Sequence, residues 1–198
     1  MKKWVVIGII IVLLSIAVFQ HFKIKRYEEA ITHTYELNVN WASIIGKQDA
    51  IRHIGRAIDS INEESRLIHS LANAVTSFKV AEASYAFMSY YIDLETRNIS
   101  PSFNNYMGWF YRDMTNYIYD LVLDIQDEKI DSQRLIKELT QLREALEFIN
   151  ENMTQELLRK ETINEINLTW QTTIEKILLD YPEHPAFKPH RKKYYRNL

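Results

Sequence analysis

Cysteine is absent from this chain of 198 residues, and glycine and proline occur only four times each. The first absence rules out thiolate nucleophiles, thiolate metal sites and disulfides. It also suits a body that meets an oxidising exterior, because no thiol is left to mispair. The second absence bears on fold class. Glycine stands at positions 8, 46, 55 and 108 and proline at 101, 182, 185 and 189, which is too few turn residues for an all-β or α/β fold. No internal repeat and no low-complexity segment is present.

Catalytic signatures are missing too. The chain has no glycine-rich phosphate loop, no Gly-x-Ser-x-Gly elbow, no His-Glu-x-x-His and none of the Glu-x-x-His units that dinuclear metal bundles require. Glu29 with His33 and Asp49 with His53 lie one helical turn apart, enough for one edge of a metal site. On an acidic helical surface such pairs read as solvated contacts, and His69, beside an apolar stripe, reads as a boundary residue. Twenty-six carboxylates spread along helices single out no acid-base pair. The chain is therefore read as a non-enzyme with no cofactor and no metal.

What is present begins with one long apolar run, residues 4–22 (WVVIGIIIVLLSIAVFQHF), with Lys2 and Lys3 before it and Lys23, Lys25 and Arg26 after it. Nineteen residues at helical rise span roughly 28 Å, close to the hydrocarbon thickness of a bilayer. The segment is read as an uncleaved transmembrane signal anchor, with Trp4 at headgroup depth. A signal peptide cut after Ala17 is the competing reading, but the apolar run continues past that point to the basic residues. Basic charge is nearly equal on the two sides of the run, so orientation rests on the short dibasic tail staying inside and the long body being exported. The richness in Ile, Asn and Lys is that of a low-GC Gram-positive bacterium. Only in a eukaryotic secretory setting would Asn98, Asn152 and Asn167 head glycosylation sequons.

The remainder has helical periodicity. From Ile51 the apolar positions Ile54, Ile58, Ile61, Ile68, Leu71, Val75, Phe78, Tyr85, Met88 and Ile92 fall on one face, which predicts a long helix ending near Asn98, ahead of Pro101. A second helix is predicted over 103–127. A third opens at Asp131 or Ser132 and carries the cleanest heptad in the chain, Leu135, Leu139, Leu142, Leu146, Ile149 and Met153. Its stripe resumes at Ile163 and runs to Tyr181, with only Asn150-Glu151-Asn152 as a weak break, so residues 131–181 are read as one helix or two. The expected architecture is all-α: a transmembrane helix over 1–26, a juxtamembrane helical stalk over 27–46 that either hinges at residues 46–49 or runs on as one helix to residue 97, and an antiparallel bundle of three to four long helices over 47–181. A basic, proline-containing tail over 182–198 is expected to be extended or disordered. The heptad seam is open to satisfaction within the bundle or by a second copy.

Charge is unevenly placed. The net value is −2, but residues 27–180 hold 14 Lys and Arg against 25 Asp and Glu, a balance of −11. The tail is the reverse, with Lys188, Arg191, Lys192, Lys193 and Arg196 against Glu183. These five, with Lys23, Lys25 and Arg26, are the candidate contacts to anionic lipid headgroups. Nucleic acid is a poor partner for so acidic a body.

One further concentration is aromatic, with 11 of the 24 aromatic residues lying between 85 and 119. Most are expected in the core, Phe87, Phe110 and Tyr117 among them. Tyr90, Tyr91, Tyr106, Trp109 and Tyr111 exceed what one stripe can bury and are the candidate partner-binding residues. The resulting expectation is a membrane-anchored extracytoplasmic interaction or scaffold protein with a protein partner or a second copy. A ligand-sensing bundle that signals through a membrane partner and a cytoplasmic-facing tethered adaptor are the alternatives. The sensing alternative looks like the membrane-proximal modules of bacterial chemoreceptors and histidine kinases in fold alone, with no shared motif.

Overall fold

The computed structural model describes residues 2–96, 102–127 and 129–194, without the side chains of residues 2–10, 90–96, 102–105, 163 and 194. Among the described residues every regular element is helical. The order is α1 (Lys2–Trp41), a π-helical segment (Ala42–Asp49), α2 (Ala50–Asp59), α3 (Glu64–Thr96), α4 (Ser102–Gln126), α5 (Ser132–Asn152), α6 (Gln155–Lys160), α7 (Ile163–Asp180) and α8 (Lys188–Tyr194). The expected helix end near Asn98 and the Pro101 turn lie outside the described residues.

The chain divides into two compact units, residues 1–36 and 37–198. The first is most of α1, whose apolar side chains between 11 and 22, such as Leu14, Phe19 and Phe22, stand exposed. Among the described residues no helix is long and apolar enough to cross a membrane. The apolar run of the sequence begins at Trp4, and its first seven side chains lie outside that set.

The second unit is a multi-helix bundle. Its longest hairpin is α3 against α4, antiparallel: Arg112 bridges Glu82 at 2.6 Å, and seven residues further along α4 the Lys79 ammonium lies over the Tyr119 ring. Gly108 lets the two backbones close, since a Cβ there would stand 3.2 Å from the Glu82 carbonyl oxygen. The heptad of α5 is buried from Leu135 to Met153, so its seam is satisfied within one chain.

Four expectations need correction. The stripe from Ile51 is interrupted at residues 60–63, where the backbone turns between α2 and α3. Ser60 and Asn62 are turn formers that compete with helix, and the apolar spacing passes over them. The stretch after Asp131 is three helices, each opened by a side-chain cap. Asp131 accepts from the Arg134 amide at 2.9 Å, Thr154 accepts from the Leu157 amide at 3.1 Å, and Thr162 forms a reciprocal capping box with Glu165.

The hinge expected at Gly46 is helical as well. The π-helical segment carries the chain through it, and Gly46 packs where a Cβ would meet the Ala81 Cβ at 2.6 Å and its Cα at 3.0 Å. Gly46→Ala is expected to destabilise the bundle by about 1–3 kcal/mol from overpacking, despite the helix-propensity gain of about 1 kcal/mol. Urea unfolding followed by circular dichroism would measure it, and an unchanged or raised midpoint would refute the close packing.

Finally, the tail is ordered over its described part. Residues 181–187 form consecutive turns leading into α8, and His184, Ala186, Phe187 and His190 are buried. Prolines and charge suggest an extended segment, but the spacing of three between 184, 187 and 190 puts two histidines and a phenylalanine on one inward face.

Candidate functional site

The five partner-binding candidates have different placements. Tyr90 and Tyr91 belong to α3, with side chains outside the described residues. Tyr106 and Trp109 lie half-buried on α4 and meet edge to face, with ring centroids 5.3 Å apart. Tyr111 is fully buried and leaves the candidate surface. The inward face of α4 is Met107, Phe110, Tyr111, Met114 and Ile118, and 111 continues that stripe by one residue while 106 and 109 flank it. Its ring stacks on Tyr85 at 5.6 Å. Burial, then the neighbouring Tyr85, pushes the Tyr111 phenol well above the usual tyrosine range. Phe87, expected inside, is 54% exposed, because the inward face of α3 here is Ala81, Ser84, Tyr85 and Met88.

The basic candidates also separate. Lys23, Lys25 and Arg26 lie on α1 in the first unit, where the Lys23 ammonium sits 5.8 Å from the Tyr27 ring centroid. Arg196 lies outside the described residues. Lys188, Arg191, Lys192 and Lys193 are on α8. Lys188 pairs with Glu183 at 2.5 Å, and the Lys193 ammonium lies 5.5 Å from the centroid of the Trp109 ring, within cation-π range. One patch therefore joins the aromatic pair of α4 to the basic face of α8, two features that sequence reading held apart.

What holds α8 there is the preceding strap, residues 181–187. Phe187 stacks on Phe110 at 5.7 Å with rings nearly parallel, and the His184 ring stacks on Phe187 at 4.5 Å. On α8 itself, His190 is fully buried, donates from Nδ1 to Asp113 of α4 at 2.9 Å, and meets Phe110 edge-on at 5.1 Å.

Glu138 of α5 is the second fastening point. Its carboxylate accepts from the Tyr117 hydroxyl at 2.9 Å and from Arg134 Nε at 2.8 Å, while its backbone oxygen faces His184 Nε2 at 2.9 Å. Burial, then the Glu138 charge, raises the Tyr117 phenol far above its ordinary value, so it stays a donor. Sequence reading missed His184, His190 and Glu138. The 184–187–190 spacing is the signal that points to the first two.

Beside the strap lies a shallow cleft of about 170 Å³, walled by Asp113, Asp120, Asp124, Arg134 and two prolines, Pro185 and Pro189. Among the described residues no three His, Asp or Glu groups are placed to hold a metal ion. Asp49, one of the ligand-like residues, instead bridges Arg52 at 2.9 Å. Comparison with family models, with curated proteins and with solved structures finds no match.

Proposed function

We propose that this chain is a single-pass membrane-anchored helical bundle that acts as a non-enzymatic interaction or scaffold component at the cell envelope. In this reading residues 4–22 form the anchor, the bundle is extracytoplasmic, and Tyr106, Trp109 and the basic side chains of α8 form its docking face for an acidic partner. The observation that carries the docking face is the Lys193–Trp109 contact, which brings half-exposed aromatics and a basic helix into one patch. Aromatic rings gain contact area at low entropic cost, and surrounding basic charge steers an acidic partner toward them. The anchor reading rests on sequence hydropathy and on apolar side chains that the first unit leaves exposed along α1.

A photo-crosslinking residue in place of Trp109, introduced in cells, tests the face. A discrete adduct is expected at 109 and none at Leu168, an exposed leucine of α7. Reversing charge with Lys192→Glu and Lys193→Glu is expected to cut the adduct by at least about fivefold, as like charges are brought together. Equal labelling from positions 109 and 168, or indifference to charge reversal, would remove α8 and Trp109 from the docking role.

A further inference from the structure

We infer that the C-terminal strap is an acid-sensitive latch: protonation of His184 undocks residues 181–187 and frees α8 from Trp109, which regulates the docking face proposed above and rests on that reading for its purpose. The geometry fixes the charge state of the ring. The Ala186 amide donates to His184 Nδ1 at 3.1 Å, so Nδ1 must be an acceptor and the proton sits on Nε2, which donates to the Glu138 backbone oxygen. This is a neutral imidazole with both nitrogens in use. A second proton would have to go on Nδ1, where it would face a backbone N–H and cost the ring its bond to Ala186.

The surroundings give the cation little in return. From α5 come Arg134, Lys137 and Glu138, and both oxygens of the Glu138 carboxylate are already engaged by Arg134 and Tyr117. From α4 comes Tyr117, whose ring meets that of His184 at 5.3 Å and whose phenol stays neutral. The end of α7 brings Asp180, paired with Lys176 at 3.0 Å, and the strap brings Tyr181 and Glu183, the latter paired with Lys188. Glu138, Asp180 and Glu183 are thus each held by another group, and of the α4 carboxylates that wall the neighbouring cleft with Arg134, Asp113 is held by His190 while Asp120 and Asp124 line the side of Pro185 and Pro189. Burial lowers the His184 basicity, and the Glu138 contacts only partly offset it.

The sign follows from that depression. A docked strap binds fewer protons than a released one, so docking is at full strength above the ordinary histidine range and weakens as pH falls below about 6.5. His190 lies outside residues 181–187, and its Nδ1–H donates to Asp113 of α4. Phe187 leaves with His184, since the two rings stack, and it takes away the seat that aligns α8 on Phe110.

Hydrogen–deuterium exchange of the full chain in detergent micelles, corrected for intrinsic rates, tests the latch between pH 7.5 and 5.5. Peptides from 181–194 are expected to lose about fivefold in protection at the lower pH while α3 and α7 keep theirs. His184→Gln is expected to abolish the difference. Since that variant can itself undock the strap, nitrogen NMR of the wild-type ring supplies a second readout: Nε2 protonated and Nδ1 bare at pH 7.5, with a titration that tracks strap opening. Equal protection at both pH values, loosening that survives His184→Gln, or a proton on Nδ1 at pH 7.5 would each overturn the latch. A strap that opens with acid while position 109 crosslinks nothing would support the latch and remove the docking face.

Discussion

Replacing Trp170 with alanine is expected to cost the bundle about 3–5 kcal/mol, the range for emptying a buried aromatic site. Trp170 of α7 is fully buried, with its ring 5.7 Å from Phe110 edge-on and 6.2 Å from Tyr85. Through Phe110 it also backs Phe187, so one side chain supports α3, α4, α7 and the strap together. Its indole N–H is buried with no hydrogen-bond partner among the described residues. Trp170→Phe therefore removes an unsatisfied donor and keeps most of the packing, and it is expected to lose less than half of what alanine loses. Urea unfolding followed by circular dichroism separates the two. An alanine loss below about 1 kcal/mol, the level of a surface substitution, would mean that this aromatic cluster is not core.

The second large effect belongs to Lys47, a lysine with no exposed surface whose ammonium donates to the backbone carbonyl of Met153, the residue closing α5. The end of a helix presents unsatisfied carbonyls and partial negative charge, which favour a cation. Burial nevertheless depresses the amine from 10.5 to about 8. Between those values the unfolded chain binds more protons than the folded one, so stability rises with pH across that window, by about 3 kcal/mol at 1.4 kcal/mol per unit. Below pH 8 both states are charged and the full desolvation penalty remains. Lys47→Met is expected to raise stability at pH 7 by about 1–3 kcal/mol, since an apolar residue of similar volume replaces a buried charge. It should also flatten the rise between pH 8 and 10 relative to wild type. Parallel urea titrations over that range measure both, and a destabilised variant with an unaltered pH slope would show that the amine is not desolvated.

Helical class was legible in the chain because period-three-four spacing and scarce breakers point the same way. Boundaries were less so. The Thr162 capping box can be read as Thr-x-x-Glu, yet a continuous apolar stripe on either side hides it until the break is seen. The turn at residues 60–63 contains no glycine or proline, and Ile61 keeps the apolar spacing through it. A lone glycine at 46 reads as a hinge, but whether it bends a helix or admits a neighbour depends on what packs there. The answer, Ala81, is 35 residues away in sequence.

The patch of Tyr106, Trp109 and Lys193 was legible in its ingredients and not in its assembly. Aromatic excess marked Tyr106 and Trp109, and tail charge marked α8, but their meeting depends on Phe187 finding Phe110 across 77 residues. Tyr111 differs from Trp109 by two positions on one helix, and only the phase of the buried stripe tells which is inside. His184 and His190 carry no motif. Their roles come from partners on α4 and α5 that spacing along the tail does not reveal.

The proposed anchoring and outward orientation of the body are tested most directly by protease accessibility in intact cells or spheroplasts, with an epitope tag at the C-terminus and alkaline carbonate extraction of the membranes in parallel. The proposed arrangement predicts that the chain stays in the carbonate-resistant membrane pellet and that external protease destroys the tag without permeabilisation. A chain released by carbonate would contradict the anchor, and a tag protected until the membrane is opened would contradict the outward orientation.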